Sequence, residues 1–116
     1  MPAYNFKEAF AGQVRRRAKR QTIRAKRKQQ RPRVGQIAYC FAGMRTRHCR
    51  RLGAWPIREV HRVLIFDEGV LIDGAALKST DLDAFARADG FGHWPGMLVF
   101  FSRTHGLPFR GDLIMW

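Results

Sequence analysis

The chain has 116 residues and a formal net charge of +13: one domain, long enough for a real core, and too basic to be indifferent to polyanions. Nucleic acid is the first partner that such a charge suggests and an anionic membrane surface the second. Two cysteines, Cys40 and Cys49, exclude a disulfide framework and are expected as reduced thiols in a cytoplasmic protein.

The charge is unevenly placed. Residues 1–33 hold twelve Lys/Arg and one acid, Glu8, whereas the remainder is nearly balanced. No apolar segment followed by a small-residue cleavage site stands at the N-terminus, and the longest apolar run, Met97 to Phe101, is far too short to span a bilayer. No membrane-spanning segment is therefore expected, and of the two polyanions nucleic acid rather than a membrane is the expected partner.

Phe6, Phe10 and Val14 fall at i, i+4 and i+8, which predicts a helix from about Lys7 to about Lys19. Its second half sets Arg15 against Lys19 and Arg16 against Arg20, like-charge pairs that each cost roughly 0.2–0.5 kcal/mol in an isolated helix. A bound polyanion would offset that cost. Thr22-Ile23-Arg24 reads as extended. Residues 25–35 are basic, carry Pro32 and are expected as an exposed loop. Gln36 to Phe41 alternates Ile37, Tyr39 and Phe41 and reads as a strand.

Arg45 to Leu52 has room for a short helical turn, and Ala54 to Phe66 reads as one long or bent strand with Pro56 near its start. Val70-Leu71-Ile72, Asp73-Gly74 and Ala75-Ala76-Leu77 predict a hairpin with a two-residue turn. Ser79 or Thr80 is placed to cap a helix carrying Leu82, Phe85 and Ala86, with Asp83 completing a loose capping box and Gly90 as its stop. Trp94, Met97, Leu98 and Phe101 form a second stripe with Pro95 in the first turn. Phe109 to Trp116 reads as a final, central strand. Short strands at this spacing predict an α+β fold in a single domain over residues 1–116: a small barrel or strongly twisted sheet with helices at its side, or an open α+β sandwich.

For chemistry, the histidines and cysteines show neither C-x-x-C nor H-x-x-x-H spacing, so no metal and no cofactor is expected. The aromatics Phe91, Trp94, Phe100, Phe101, Phe109 and Trp116 are mostly core, with one or two free to stack on a base. Trp94 is the first candidate for stacking because it follows the Gly90–Gly92 loop, although core packing is the favoured reading for it. Lys19 and Thr22 lie where helix gives way to strand, so a turn between them can aim both side chains into one cleft. A threonine nucleophile needs a base, and a lysine serves only when neutral, a form that its arginine neighbours favour. Asp89 is one choice for the carboxylate that such a pair requires. Arg24, on the Thr22 face, is placed to hold an anion or to pair with Asp89. Arg15, Arg16, Arg20, Arg24, Lys26, Arg27 and Lys28 are the expected nucleic-acid contacts.

Lys19-Arg20-Gln21-Thr22-Ile23-Arg24, together with Gly43, the Asp73-Gly74 hairpin, Ala84-Phe85-Ala86-Arg87-Ala88-Asp89-Gly90-Phe91, Trp94, Met97, Phe101 and the ending Phe109-Arg110-Gly111-Asp112-Leu113-Ile114-Met115-Trp116, resembles the ASCH (activating signal cointegrator homology) domain of the PUA-like superfamily. The resemblance runs from about Tyr4 onward and looks most like the small bacteriophage and prophage versions. It implies a PUA-like β-barrel with an N-terminal helix and two short C-terminal helices beside it, and a basic cleft for RNA or a modified nucleoside. Some small bacterial members are amidohydrolases that deacetylate N4-acetylcytidine with a lysine, a threonine three residues later and a glutamate in the C-terminal half. Lys19 and Thr22 match the first two, and Asp89, one methylene shorter, takes the place of the glutamate. The expected function is RNA or nucleoside binding. Amide hydrolysis is the alternative and a protein-interaction module a third.

Overall fold

The computed structural model describes residues 2–26 and 30–116, so Arg27 and Lys28, expected to contact nucleic acid, lie outside the described residues. The order of elements is β1 (Ala3–Phe6), α1 (Glu8–Arg15), β2 (Gln21–Ala25), β3 (Ile37–Ala42), β4 (Arg50–Pro56), β5 (Glu59–Phe66), β6 (Gly69–Ile72), β7 (Ala75–Ala76), α2 (Leu82–Ala88), α3 (Trp94–Thr104) and β8 (Phe109–Met115). The fold is α+β. Its strands form a three-stranded sheet, β1-β3-β4, and a five-stranded sheet, β2-β8-β5-β6-β7. No ladder among the described residues joins the two into a closed barrel.

Four readings differ from expectation. Phe6 belongs to a strand, not to the helical stripe: Tyr4 and Phe6 are buried on either side of exposed Asn5, the period of two of a half-buried strand, and β1 pairs in parallel with β3. Helix α1 ends at Arg15 rather than near Lys19. Arg17 takes φ +63°, and the Ala18 and Lys19 amides turn back to the Gln13 carbonyl. The like-charge pairs at four-residue spacing never form, because the helix stops before their second members. Residues 54–66 are two strands in different sheets, with Pro56 ending β4 instead of opening a strand. Between them the Ile57 amide bonds to Gln36 O and the Arg58 amide to Met115 O, so the chain crosses from one sheet to the other there. Arg50–Leu52, expected as part of a helical turn, opens β4.

The hairpin β6–β7 turns at Asp73-Gly74, both at positive φ. Asp83 does not complete a capping box; its carboxylate accepts from the Trp94 amide at 2.8 Å and so ties the start of α3 to α2. At the start of α3 the cap is His93, whose Nδ1 accepts from the Gly96 amide at 3.0 Å.

Two cores share β8, which explains the apolar run from Leu113 to Trp116. Ile114 and Trp116 pack with Val14 of α1 and with Ala38, Cys40 and Ala42 of β3. Leu113 and Phe109 face the opposite way, against Met97 and Phe101 of α3 and Ala86 of α2. Each of the larger apolar side chains among them stabilises the fold by about 1.5–3 kcal/mol. In β3 it is the small residues that are buried, while Ile37, Tyr39 and Phe41 remain half-exposed. Small side chains let α1 approach the sheet closely, which no alternation count reveals.

The two thiols differ sharply. Cys49 is exposed and Cys40 is buried, and burial pushes the Cys40 thiol up to about 11. Near pH 8, one equivalent of an aromatic disulfide reagent is expected to react promptly with the folded protein, and the second only after denaturation, because the thiolate is the reactive form. Fast reaction of both in the folded state, or a Cys40–Cys49 disulfide, would contradict this assignment.

Candidate functional site

The five-stranded sheet ends at β2 and the three-stranded sheet at β1, and each of these edge strands has one partner. The two open edges come together at a cavity of about 200 Å³. Asn5 and Phe6 line it from β1, Thr22 to Ala25 from β2, Phe10 from α1, and Phe100, Phe101, Thr104 and His105 from α3 and its end. Lys19 and Asp89 line it as well. The guanidinium of Arg24 crosses the seam, donating through Nη2 to Asn5 O at 2.9 Å.

Lys19 and Asp89 are 70 positions apart, and both are almost wholly buried, at 3 % and 4 % exposure. Nζ of Lys19 donates to the Asp89 main-chain oxygen at 2.6 Å and lies 3.4 Å from Oδ1. Local structure makes the meeting possible from both sides. The turn after α1 delivers Lys19, while α2 ends at Asp89 and Gly90 takes φ +97°. A Cβ at Gly90 would lie 2.7 Å from the Phe10 ring and 3.0 Å from the Lys19 side chain, so only glycine lets this loop come so near. Gln13 Nε2 donates to Gly90 O at 3.2 Å, and Gln21 Nε2 to Asp89 Oδ1 at 3.3 Å.

Burial is the dominant influence on both charges. It pushes the Lys19 ammonium below its ordinary range, with the attraction of Asp89 opposing. It pushes the Asp89 carboxyl above its ordinary range, with Lys19 and Gln21 opposing. Both shifts act in the direction that narrows the gap between the ion pair and the neutral amine–acid pair. The Phe6 and Phe10 rings, 5.7 and 5.3 Å from Nζ, favour the ammonium.

Thr22 is buried and its Oγ1 accepts from Arg24 Nε at 2.9 Å. That bond leaves the hydroxyl hydrogen available and sets a guanidinium charge beside the oxygen. The main chain of β2 adds a further feature. The Trp116 amide donates to Arg20 O in a register that continues as Gln21↔Met115 and Thr22↔Ile114. Antiparallel alternation therefore turns the N–H and C=O of Ile23 and Ala25 away from β8 and toward the open edge, where both residues line the cavity.

Among the expected site residues, Lys19, Thr22, Arg24 and Asp89 share this cavity. Among the described residues, the other expected cations do not line it. Arg15 donates to Arg51 O at 3.4 Å, Arg16 caps α1, and Arg20 lies beside Arg58 and Trp116. Lys26 follows β2 out of the cavity. Trp94 packs into the helix-side core and is not a cavity wall. The aromatic wall is instead Phe10, Phe91 and Phe100, with Phe10–Phe91 and Phe91–Phe100 centroids both 5.2 Å apart. Phe6, Phe10, Asn5 and His105 carry no sequence signal for a site, since the two phenylalanines read as a helical stripe and β1 went unseen. Among the described residues no group of three His, Cys, Asp or Glu side chains is placed to hold a metal ion, and no helix is long and apolar enough to cross a membrane.

No protein-family model, no curated protein and no solved structure matches the chain.

Proposed function

We propose that the chain is a nucleoside-binding domain of the ASCH, PUA-like kind, its two sheets being a barrel parted at the β1–β2 seam, and that one base of a nucleoside or RNA occupies the cavity at that seam. The observation that carries this reading is the combination in one small cavity of an aromatic wall, outward main-chain donors and acceptors on β2, and the Lys19, Thr22 and Arg24 side chains. The aromatic wall suits a π-face. The N–H and C=O of Ile23 complement the donor–acceptor edge of a pyrimidine or adenine. At about 200 Å³ the space falls below the ~300–1,000 Å³ of sites for drug-sized ligands, which favours a single base over a larger group.

The Lys19–Asp89 contact supports a second reading, hydrolysis of an N-acyl group on that base. Thr22 Oγ attacks the acyl carbon as neutral Lys19 takes its proton. The C–N bond then breaks, the leaving amine takes a proton from the Lys19–Asp89 pair, and water releases the acid from the threonine ester. Arg24 steadies the Thr22 oxygen throughout. Asp89 reaches Lys19 despite having one methylene fewer than glutamate, because the Gly90 loop brings its main chain into contact with Nζ.

The test is cytidine binding followed by calorimetry, beside turnover of N4-acetylcytidine, for the wild type and Thr22→Ala. Under the hydrolytic reading Thr22→Ala lowers turnover by on the order of 10³-fold or more while affinity is largely kept. Under the binding reading there is no turnover, and affinity weakens by less than about tenfold, the worth of one hydrogen bond. Absence of binding by either nucleoside would overturn both.

A further inference from the structure

Beyond the cavity, the five-stranded sheet has a stretch that the three-stranded sheet does not cover. Thr22, Ile114 and Val60 lie under the smaller sheet, and the same face continues outward through Arg24, Asp112 and Arg62, directly opposite one another in register. The next row holds Arg110 opposite Leu64, with Leu71 beyond it. Arg62, Leu64, Leu71 and Arg110, with Lys26 where β2 runs out and Asp73 at the hairpin turn, wall a concavity of about 460 Å³.

Its charge is mainly positive, with three cations against one carboxylate, Asp73. Lys26, Arg62 and Arg110 are all exposed, and among the described residues none of the three has a salt-bridge partner. Two carboxylates stand nearby, and one of them, Asp73, is close enough to Arg62 to feel its charge. Asp112 is buried against the guanidinium of Arg31. Asp73, also on the rim, accepts from the Arg62 amide at 2.9 Å and lies 2.6 Å from His61 Nδ1, while His61 Nε2 lies 2.9 Å from Glu59. Those two carboxylates hold the His61 imidazolium above its ordinary range. Arg62 and Arg110 are diagonal neighbours on adjacent strands, about 7 Å apart at the backbone, and gain from a shared anion. The concavity follows the cavity along β2, which supplies Thr22 and Arg24 to one and Lys26 to the other, ~13 Å along the strand.

We propose that this surface, walled by Lys26, Arg62 and Arg110, holds the phosphates of a single-stranded polynucleotide whose base occupies the cavity. The proposal rests on the nucleoside reading of the cavity and extends it. The preferred ligand is then a nucleoside within a strand, and the strand leaves along β2 toward the β5–β8 face rather than over the arginines of α1.

The experiment compares the wild type with Arg62→Gln/Arg110→Gln, two exposed positions whose exchange leaves thermal stability near the wild-type value. The probes are cytidine, a short oligouridine with one central cytidine, and phosphatidylserine vesicles, each titrated across a salt series. The wild type binds the oligonucleotide more tightly than cytidine. In the double variant that affinity falls at least tenfold at low salt, and its log–log salt slope shrinks by about 1.4 to 1.8, two phosphates' worth, while cytidine binding is unchanged. An oligonucleotide affinity and slope equal to wild type, or an equal loss toward vesicles, would overturn the proposal. Arginine-dependent oligonucleotide binding without cytidine binding would uphold the phosphate surface and reject the cavity reading. Failure of the wild type to bind either would reject both.

Discussion

Asp89→Asn is expected to lower unfolding stability at pH 7 by about 3–5 kcal/mol, because it leaves the buried Lys19 ammonium without its counter-charge. The alternative open to the protein is to deprotonate Lys19. From an ordinary lysine pKa of about 10.4, that costs about 4.6 kcal/mol at pH 7, which caps the loss at a similar value. The two routes are separated by pH. If Lys19 folds neutral in the variant, its folded pKa lies below the unfolded one and the unfolded chain binds more protons. Stability then rises with pH, up to the unfolded value near 10.4. Denaturant unfolding of the variant at pH 7 and pH 10 is therefore expected to show the deficit shrinking, relative to wild type, at the higher pH. The double replacement Lys19→Met/Asp89→Asn restores most of the stability at pH 7 while abolishing any turnover, since neither buried charge remains. A deficit below about 1 kcal/mol for Asp89→Asn would mean that the pair is not the buried charge pair described above.

Gly111→Ala is expected to cost about 3 kcal/mol, at the upper end for overpacking, and to lower the melting temperature by on the order of 15 °C. Gly111 sits in β8 between Ala25 of β2 and Val63 of β5. A Cβ there would stand 2.3 Å from the Arg24 carbonyl oxygen and 2.9 Å from the Phe109 ring. The oxygen belongs to the main chain, so no rotamer change relieves the clash, and pairing on both sides of β8 prevents the strand from moving away. Relief requires β2 to shift, which displaces Thr22 and Arg24 from the cavity. Weakened nucleoside binding is thus expected to accompany the lower melting temperature. A melting temperature within about 5 °C of wild type would show that β2 yields easily and that its position is not held by this contact.

Several elements were legible because a local rule produced them. The Asp73-Gly74 hairpin follows from turn chemistry, α3 from its apolar stripe and Pro95, and the stop of α2 from Gly90. The central position of β8 follows from a run of apolar residues that only a strand buried on both faces can use. Other features depended on partners remote in sequence. Four residues at the N-terminus become β1 only because β3 offers a parallel edge. The apparent single strand through Pro56 divides because Gln36 and Met115 capture successive amides from different sheets.

The same distinction runs through the site. The amino-acid sequence alone determined the chemical types: a lysine and a threonine three apart at the end of a helix, an arginine two residues further on, a carboxylate beside a glycine that stops another helix, and a large excess of positive charge. These follow from local spacing, composition and capping, which act over a few residues. The tertiary structure decided which of them meet. Burial beside Phe6 and Phe10 drew Lys19 against Asp89 across 70 positions. The open edges of two sheets created the cavity, and sheet register gathered Arg62 and Arg110 into the cationic face while the arginines of α1 were left elsewhere. Desolvation, strand register and close backbone approach depend on neighbours distant along the chain, and a one-dimensional pattern holds no record of them.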